Sequence, residues 1–259
     1  MTTPWVSGQP PAFRVLGVRV NAVQIPEVVS QMQCWIQERS EGHFIAVTGM
    51  HGVSESRRDP LFREILNAAD LVVPDGMPLV WIGRRRGYPL KRRVYGPELM
   101  GAFCEKTEGQ YRHFLYGGAE GIPEQLAEIL QTRYGNRIVG TYSPPFRNLT
   151  EAEKEEIVGR VRAAKPDILW VGLSTPKQER WMAEYRQRLG VPVLVGVGAA
   201  YDFHTGRAKQ APVWMREHGL EWLFRLLSEP RRLWRRYLVN GSQFAWEVWL
   251  EMLRIKNFD

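Results

Sequence analysis

From Phe13 to about Val197 the chain alternates short apolar runs with amphipathic stretches. Phe44-Ile-Ala-Val47, Leu71-Val-Val-Pro74, Phe114-Leu-Tyr116, Asp167-Ile-Leu-Trp-Val171 and Val193-Leu-Val-Gly-Val197 show little polar interruption. That is the pattern of parallel strands buried on both faces. The stretches between them have helical features. Pro26 suits the first turn of a helix running towards Arg39, and Pro123 opens one through Arg133. Thr150 and Glu153 have the spacing of a capping box ahead of Ile157, Val158 and Val161. Strand and helix in alternation predict a doubly wound, mainly parallel α/β sheet flanked by helices.

After Tyr201 the pattern changes. Trp222, Leu223, Leu226 and Leu227 have helical spacing, Pro230 interrupts, and Leu233, Trp234, Tyr237 and Leu238 resume it. Asn240-Gly241 reads as a turn, and Ser242 as the cap of a last helix carrying Phe244, Val248, Trp249, Met252 and Leu253. The expected division is an α/β core over residues 1–205 and a helical C-terminal appendage over residues 206–259.

With 259 residues and 44% hydrophobic content, the chain can bury a sizeable core. Cys34 and Cys104 have no Cys or His partner at metal-ligand spacing and are read as buried thiols. The first eleven residues lack the basic and apolar regions of a signal peptide. No stretch stays apolar for the ~20 residues of a membrane span. The formal charge of +7 calls for an acidic partner: nucleic acid, an anionic membrane or a phosphorylated ligand.

In doubly wound sheets ligands bind beyond the carboxyl ends of the strands, so the residues just after each apolar run are the candidates. Asp75 follows one run and precedes Gly76. A carboxylate there can act as a general base, although Asp-Gly is also a common turn pair. Gly117 and Gly118, between a strand and a helix, suit either a diphosphate at a helix N-terminus or a tight turn. Ser174, Thr175, Lys177 and Gln178 crowd polar groups onto one loop, and Asp202 follows the last run closely. The chain has no Asp-x-Asp pair to hold a metal on a diphosphate. Cationic side chains and backbone N–H groups are therefore expected in that role, with Arg92 and Arg93 as candidates. In the appendage, Arg225, Arg231, Arg232, Arg235 and Arg236 surround Trp222, Trp234 and Tyr237. Arginines beside aromatics fit a helix at an anionic membrane surface. That reading is preferred to solvated charge and to a nucleic-acid surface.

These segments together resemble the WecG/TagA/CpsF glycosyltransferases, which build bacterial surface polymers. The resemblance runs from about Phe13 to Tyr237. Its carriers are Val47-Thr-Gly-Met-His51, Leu66-Asn-Ala-Ala-Asp-Leu-Val-Val-Pro-Asp-Gly76, Arg93-Val-Tyr-Gly-Pro-Glu-Leu99, Phe114-Leu-Tyr-Gly-Gly118, Gly172-Leu-Ser-Thr-Pro-Lys-Gln-Glu179, Gly196-Val-Gly-Ala-Ala-Tyr-Asp202 and Glu221-Trp-Leu-Phe-Arg225.

The resemblance implies a Rossmann-like core and an inverting, metal-independent transferase without a cofactor. Such an enzyme moves a sugar, often N-acetylmannosamine, from UDP to an undecaprenyl-diphosphate-linked sugar; another UDP-sugar such as UDP-glucose is the alternative donor. It implies Asp75 as catalytic base, with Thr48, Arg93, Gln178 and Asp202 binding substrate or nucleotide. Arg225, Arg232 and Arg235 are implied at the acceptor diphosphate or the membrane, on an appendage that closes the site. The expected partners are the UDP-sugar, the lipid-linked acceptor and an anionic membrane surface, not nucleic acid; the sequence leaves a homo-oligomer open. The expected location is cytoplasmic, peripheral on the inner face of the plasma membrane. Two positions depart from the family pattern: Met50 stands where many members have Asn, and Glu98 where Asp is common.

Overall fold

The computed structural model describes residues 10–40 and 42–258. The chain opens with an antiparallel hairpin of β1 (Ala12–Val15) and β2 (Val18–Asn21) around Leu16-Gly17. Both turn residues have positive φ, 50° and 84°, which matches the strand twist in a two-residue turn. The alternation of Phe13, Val15, Val18 and Val20, all buried, carries this hairpin in the sequence.

Six strands then build one parallel sheet: β3 (His43–Thr48), β4 (Leu71–Pro74), β5 (Arg112–Gly117), β6 (Arg137–Tyr142), β7 (Ile168–Gly172) and β8 (Val193–Gly196). Their order is β4-β3-β8-β7-β5-β6. Five of them are the five apolar runs. The sixth, β6, is the half-exposed edge strand, and with one face wet it has no continuous apolar run to announce it.

The crossovers are helical. α1 (Ile25–Gln37) leads into β3, and α2 (Met50–Arg58) and α3 (Pro60–Asn67) join β3 to β4. α4 (Met77–Arg85) and α5 (Gly96–Thr107) join β4 to β5, α6 (Ile122–Tyr134) leads to β6, α7 (Glu151–Ala164) to β7 and α8 (Lys177–Leu189) to β8. The capping box at α7 forms as the spacing requires, with Thr150 N–H donating to Glu153 Oε2 at 2.8 Å and Glu153 N–H to Thr150 Oγ1 at 3.3 Å.

Successive residues of each strand point to opposite faces, and each face carries its own core. Phe44, Ala46, Val72, Leu169 and Val171 pack on one side with α3, α4, α7 and α8. Ile45, Val47, Val73, Leu115 and Trp170 pack on the other with α1, α5 and α6. Cys104 is buried in that second core; Cys34, read as buried, is half-buried and donates to Glu38 at 3.2 Å.

After β8 come α9 (Ala200–His204), α10 (Val213–Glu217), α11 (Glu221–Ser228) and α12 (Pro230–Trp234), a π-helical turn over Arg235–Val239, and α13 (Asn240–Met252). Among the described residues this region contains no strand. Two details correct the sequence reading. Asn240-Gly241 is not a turn: the helix runs through it from the π-helical segment, and Ser242 Oγ donates back to Leu238 O at 2.6 Å instead of capping. Gly241 lies against Met50 and Arg58 donates to Asn240 Oδ1 at 3.0 Å, so the pair is half-buried where α13 meets α2.

The C-terminal helices also do not pack on their own. Phe244, Val248 and Phe258 belong to the first core, beside Phe62 and Leu66. Glu251 accepts from Leu16 N–H at 2.9 Å and from Arg86 at 2.8 Å.

Candidate active site

Asp75 owes its position to the end of β4. The four apolar residues of that strand are buried, and Asp75 N–H donates to Thr48 O of neighbouring β3 at 2.9 Å. Gly76 then turns the chain at φ 132°, a conformation that favours glycine. Pro78 follows in the first turn of α4. The carboxylate is thus left beyond a strand end, at the wall of a cleft of about 460 Å³. The rest of the cleft comes from four places, one of them the loop after β7 with Thr175. His51 belongs to α2, Arg93 to the loop ahead of α5, and Glu221, Arg225 and Arg236 to the C-terminal helices.

The loop carrying Arg93 is tied down on both sides. Val94 N–H donates to Pro74 O at 2.8 Å, and Gln24 Oε1 accepts from Lys91 and Arg92 N–H at 3.2 and 3.0 Å. The Arg93 guanidinium lies 4.0 Å from the centre of the Tyr95 ring and donates to Glu221 Oε2. Tyr95 Oη donates to Glu221 Oε1 at 3.1 Å.

Burial, reinforced by the Glu221 charge, pushes the Asp75 carboxyl up to about 6 against the pull of Arg93, Arg225 and Arg236. It therefore loses its proton near neutrality, where a general base works best. His51 is held down to about 4, first by burial and then by Arg236, so its imidazole is neutral. Burial and the Glu221 charge raise the Tyr95 hydroxyl far above its usual range, and it remains a donor.

Of the site residues expected from sequence or resemblance, Asp75, Arg93 and Arg225 meet in this cleft, joined by Thr175 of the polar loop after β7. Thr48 lies beside it, with its Oγ1 buried and without a hydrogen-bond partner. Gly117, Gly118, Gln178 and Asp202 lie along the same carboxyl edge of the sheet, outside the cleft wall. Gly117 presses on β7 so closely that a Cβ would come within 2.6 Å of Gly172, and Gly118 N–H donates to Gly172 O at 2.9 Å. Both ends of the Gln178 amide are used internally: its Oε1 accepts from Gly198 N–H at 3.0 Å and its Nε2 donates to Glu179 at 2.9 Å. Arg235 does not line the cleft; its guanidinium lies over the Trp234 ring at 5.4 Å. The side chain of Arg232 lies outside the described residues.

Sequence reasoning did not place Glu221, Arg236, His51 or Tyr95 in the site. Glu221 carried one usable signal, a carboxylate in an aromatic helical segment that ends up 7% exposed. Arg236 was one of five appendage arginines; continuous helical spacing groups it with Arg225 and Arg232, but the resemblance pointed to Arg235 in its place.

Among the described residues no three His, Cys, Asp or Glu side chains gather as a metal site, and no helix is long and apolar enough to cross a membrane.

Comparison with known proteins gives this arrangement a context. A protein from Bacillus spizizenii is 28% identical over 216 residues, 83% of this chain and 82% of that protein. A Staphylococcus aureus (strain MW2) protein is 27% identical over 223 residues, 85% of this chain and 86% of its own. Each is named N-acetylglucosaminyldiphosphoundecaprenol N-acetyl-beta-D-mannosaminyltransferase. The sequence profile described as the glycosyl transferase WecG/TagA/CpsF family matches residues 13–258, which takes in the sheet, the Asp75 cleft and the C-terminal helices that close it. A parallel sheet with a carboxylate and arginines gathered beyond its strand ends is thus found in a chain that belongs to the WecG/TagA/CpsF family and is a glycosyltransferase.

Proposed function

We propose that the protein transfers N-acetylmannosamine from a UDP-sugar to undecaprenyl-diphosphate-linked N-acetylglucosamine, with inversion and without a metal. The observation that carries the reading is Asp75, poised near neutrality in a cleft shared with Arg93, Arg225 and Arg236. In the proposed step an acceptor hydroxyl oxygen attacks the anomeric carbon from the face opposite the UDP. The new C–O bond forms as the bond to the UDP oxygen breaks, and Asp75 takes the hydroxyl proton. The arginines receive the charge developing on the diphosphate, a role that a divalent cation fills in other transferases. The relatives' names supply the two sugars and the lipid of this proposal.

A lipid-linked acceptor has to be met at a membrane. Among the described residues, eleven of the fourteen exposed large hydrophobic side chains lie between Val213 and Ile255, and five of them are tryptophans in α10, α11, α12 and α13: Trp214, Trp222, Trp234, Trp246 and Trp249. Exposed Trp with Arg nearby suits the headgroup layer of an anionic bilayer. This reading puts the protein on the inner face of the plasma membrane as a peripheral enzyme.

Met50 supports a second reading of the donor. It lines the cleft, and its thioether offers only a weak acceptor to a sugar. A UDP-sugar other than UDP-N-acetylmannosamine, such as UDP-glucose, would suit such a wall. The test is a donor screen with the purified lipid acceptor, read by mass spectrometry of the product, with and without EDTA. Transfer of N-acetylmannosamine from UDP in the presence of EDTA is the expected result. Transfer of another sugar replaces the donor, and loss of activity in EDTA removes the metal-free mechanism.

A further inference from the structure

Among the described residues, Glu221 is the one carboxylate that the C-terminal helices place in the cleft. It sits in the first turn of α11, is 7% exposed, and both of its oxygens are in use. Oε2 accepts from Arg93 and Oε1 from Tyr95, two residues of the same core loop. Arg93 is therefore fixed on its edge by Glu221 and on its face by the Tyr95 ring. A buried ion pair is a poor way to gain stability, because the desolvation of both charges offsets their attraction. A guanidinium held in one orientation, however, is preorganised for a diphosphate and loses little freedom when one binds.

We propose that Glu221 is a positioning residue for the transfer reaction. From α11 it holds Arg93 and Tyr95 in place, and so couples the seating of the C-terminal helices to the assembly of the site around Asp75. The inference rests on the reading of Asp75 as base and Arg93 as diphosphate ligand. Its structural half is independent of that reading, since the Glu221–Arg93–Tyr95 contacts need no substrate. Among the described residues, the charged and titratable side chains that line the cleft with Asp75 are Arg93 and Tyr95 from the loop, His51 from α2, Glu221 and Arg225 from α11, and Arg236 and Tyr237 from the π-helical turn. Glu221 is the only other carboxylate among them, so neutralising it moves the Asp75 equilibrium towards the ionised form.

The experiment uses the full chain with Glu221→Gln, Arg93→Ala, the double variant and Glu247→Gln. Glu247 pairs with Arg57 at 3.4 Å and also ties α13 to the core, but lies outside the cleft wall. The first readout is amide hydrogen exchange over residues 91–96 and 220–228 without ligand. Glu221→Gln and Arg93→Ala are each expected to speed exchange in both segments, with no further gain in the double variant. The second is the pH dependence of kcat/KM. Glu221→Gln is expected to lose about 10- to 100-fold, the scale of a hydrogen bond to a charged group, and to shift the acid limb to lower pH. Glu247→Gln should leave that limb in place. If Glu221→Gln fails to fold, Glu221→Asp keeps the charge but withdraws it from Arg93; it should loosen residues 91–96 and leave the acid limb near its wild-type position. Unchanged exchange over residues 91–96, or an acid limb that Glu221→Gln moves no more than Glu247→Gln, overturns the proposal. Retained turnover in Asp75→Asn would instead overturn the assignment of the base, and the exchange result would still decide the role of Glu221.

Discussion

Asp75 concentrates the chemistry in one carboxyl, and its position has a cost in stability. An aspartate with an ordinary value of 3.8 that titrates at about 6 in the folded protein binds its proton more tightly there than in the unfolded chain. Stability from this group therefore falls as pH rises from about 4 through about 6, and the penalty is complete above that window. Its size is on the order of 1–3 kcal/mol. Asp75→Asn should remove the penalty. Thermal melts are expected to show the variant more stable than wild type at pH 7.5 and indistinguishable from it near pH 3.5. The same substitution should lower turnover by about 100- to 10,000-fold, the range for loss of a general base. In the wild type, kcat/KM should rise with pH through about 6 as the carboxyl ionises. A flat profile from pH 5 to 7.5 would contradict that assignment.

At the scale of elements, the decisive feature is the π-helical turn at Arg235–Val239. A π turn inserts an extra residue into the helical repeat, and such insertions often occur at functional sites. It follows α12, which begins after the chain bends at Glu229. At 3.6 residues per turn a continuous helix would bring Arg225, Arg232 and Arg236 to one side; the bend and the π turn break that helix, yet Arg225 and Arg236 still reach one cleft. Arg235 is turned onto Trp234 instead. Arg236→Ala should lower kcat/KM by about 10- to 100-fold through loss of a charge-assisted contact, whereas Arg235→Ala should stay within about 3-fold, as expected for an exposed charge. Steady-state kinetics on the two variants decides between these positions. Equal losses would mean that the register of the turn does not matter.

For the whole molecule, the C-terminal helices have an inner and an outer task. On the inner side, Phe244, Val248 and Phe258 complete a core that begins in the sheet. Each such side chain contributes roughly 1.5–3 kcal/mol, a large share of the ~5–15 kcal/mol that holds a typical protein folded. Truncation before Gly206, which from sequence should leave an intact core, is instead expected to lower the melting temperature sharply or prevent folding. A truncated chain that melts like the full one would show that the three side chains contribute little. On the outer side, Trp246 and Trp249 stack at 4.9 Å with 58% and 48% exposure. Replacing both by Ser should weaken co-sedimentation with vesicles rich in anionic lipid while leaving the melt unchanged, and added salt should weaken binding of the wild type further. Binding that ignores both changes would remove the membrane surface from this face.

The sequence by itself determined the buried strands, the capped helices between them and the strand-end position of Asp75. Each depends on a period or a cap of a few residues, which is local information. The edge strand β6 and the first hairpin were less legible because their apolar positions are interrupted by polar ones and form no continuous run. Tertiary structure alone decided which charges meet. Glu221 reaches Arg93 across 128 residues of chain, and Arg236 rather than Arg235 faces Asp75 because a bend and a π turn reset the helical register. It also decided that the last helix belongs to the core. Hydrophobic spacing states that a helix has an apolar side, and only packing states which surface covers it.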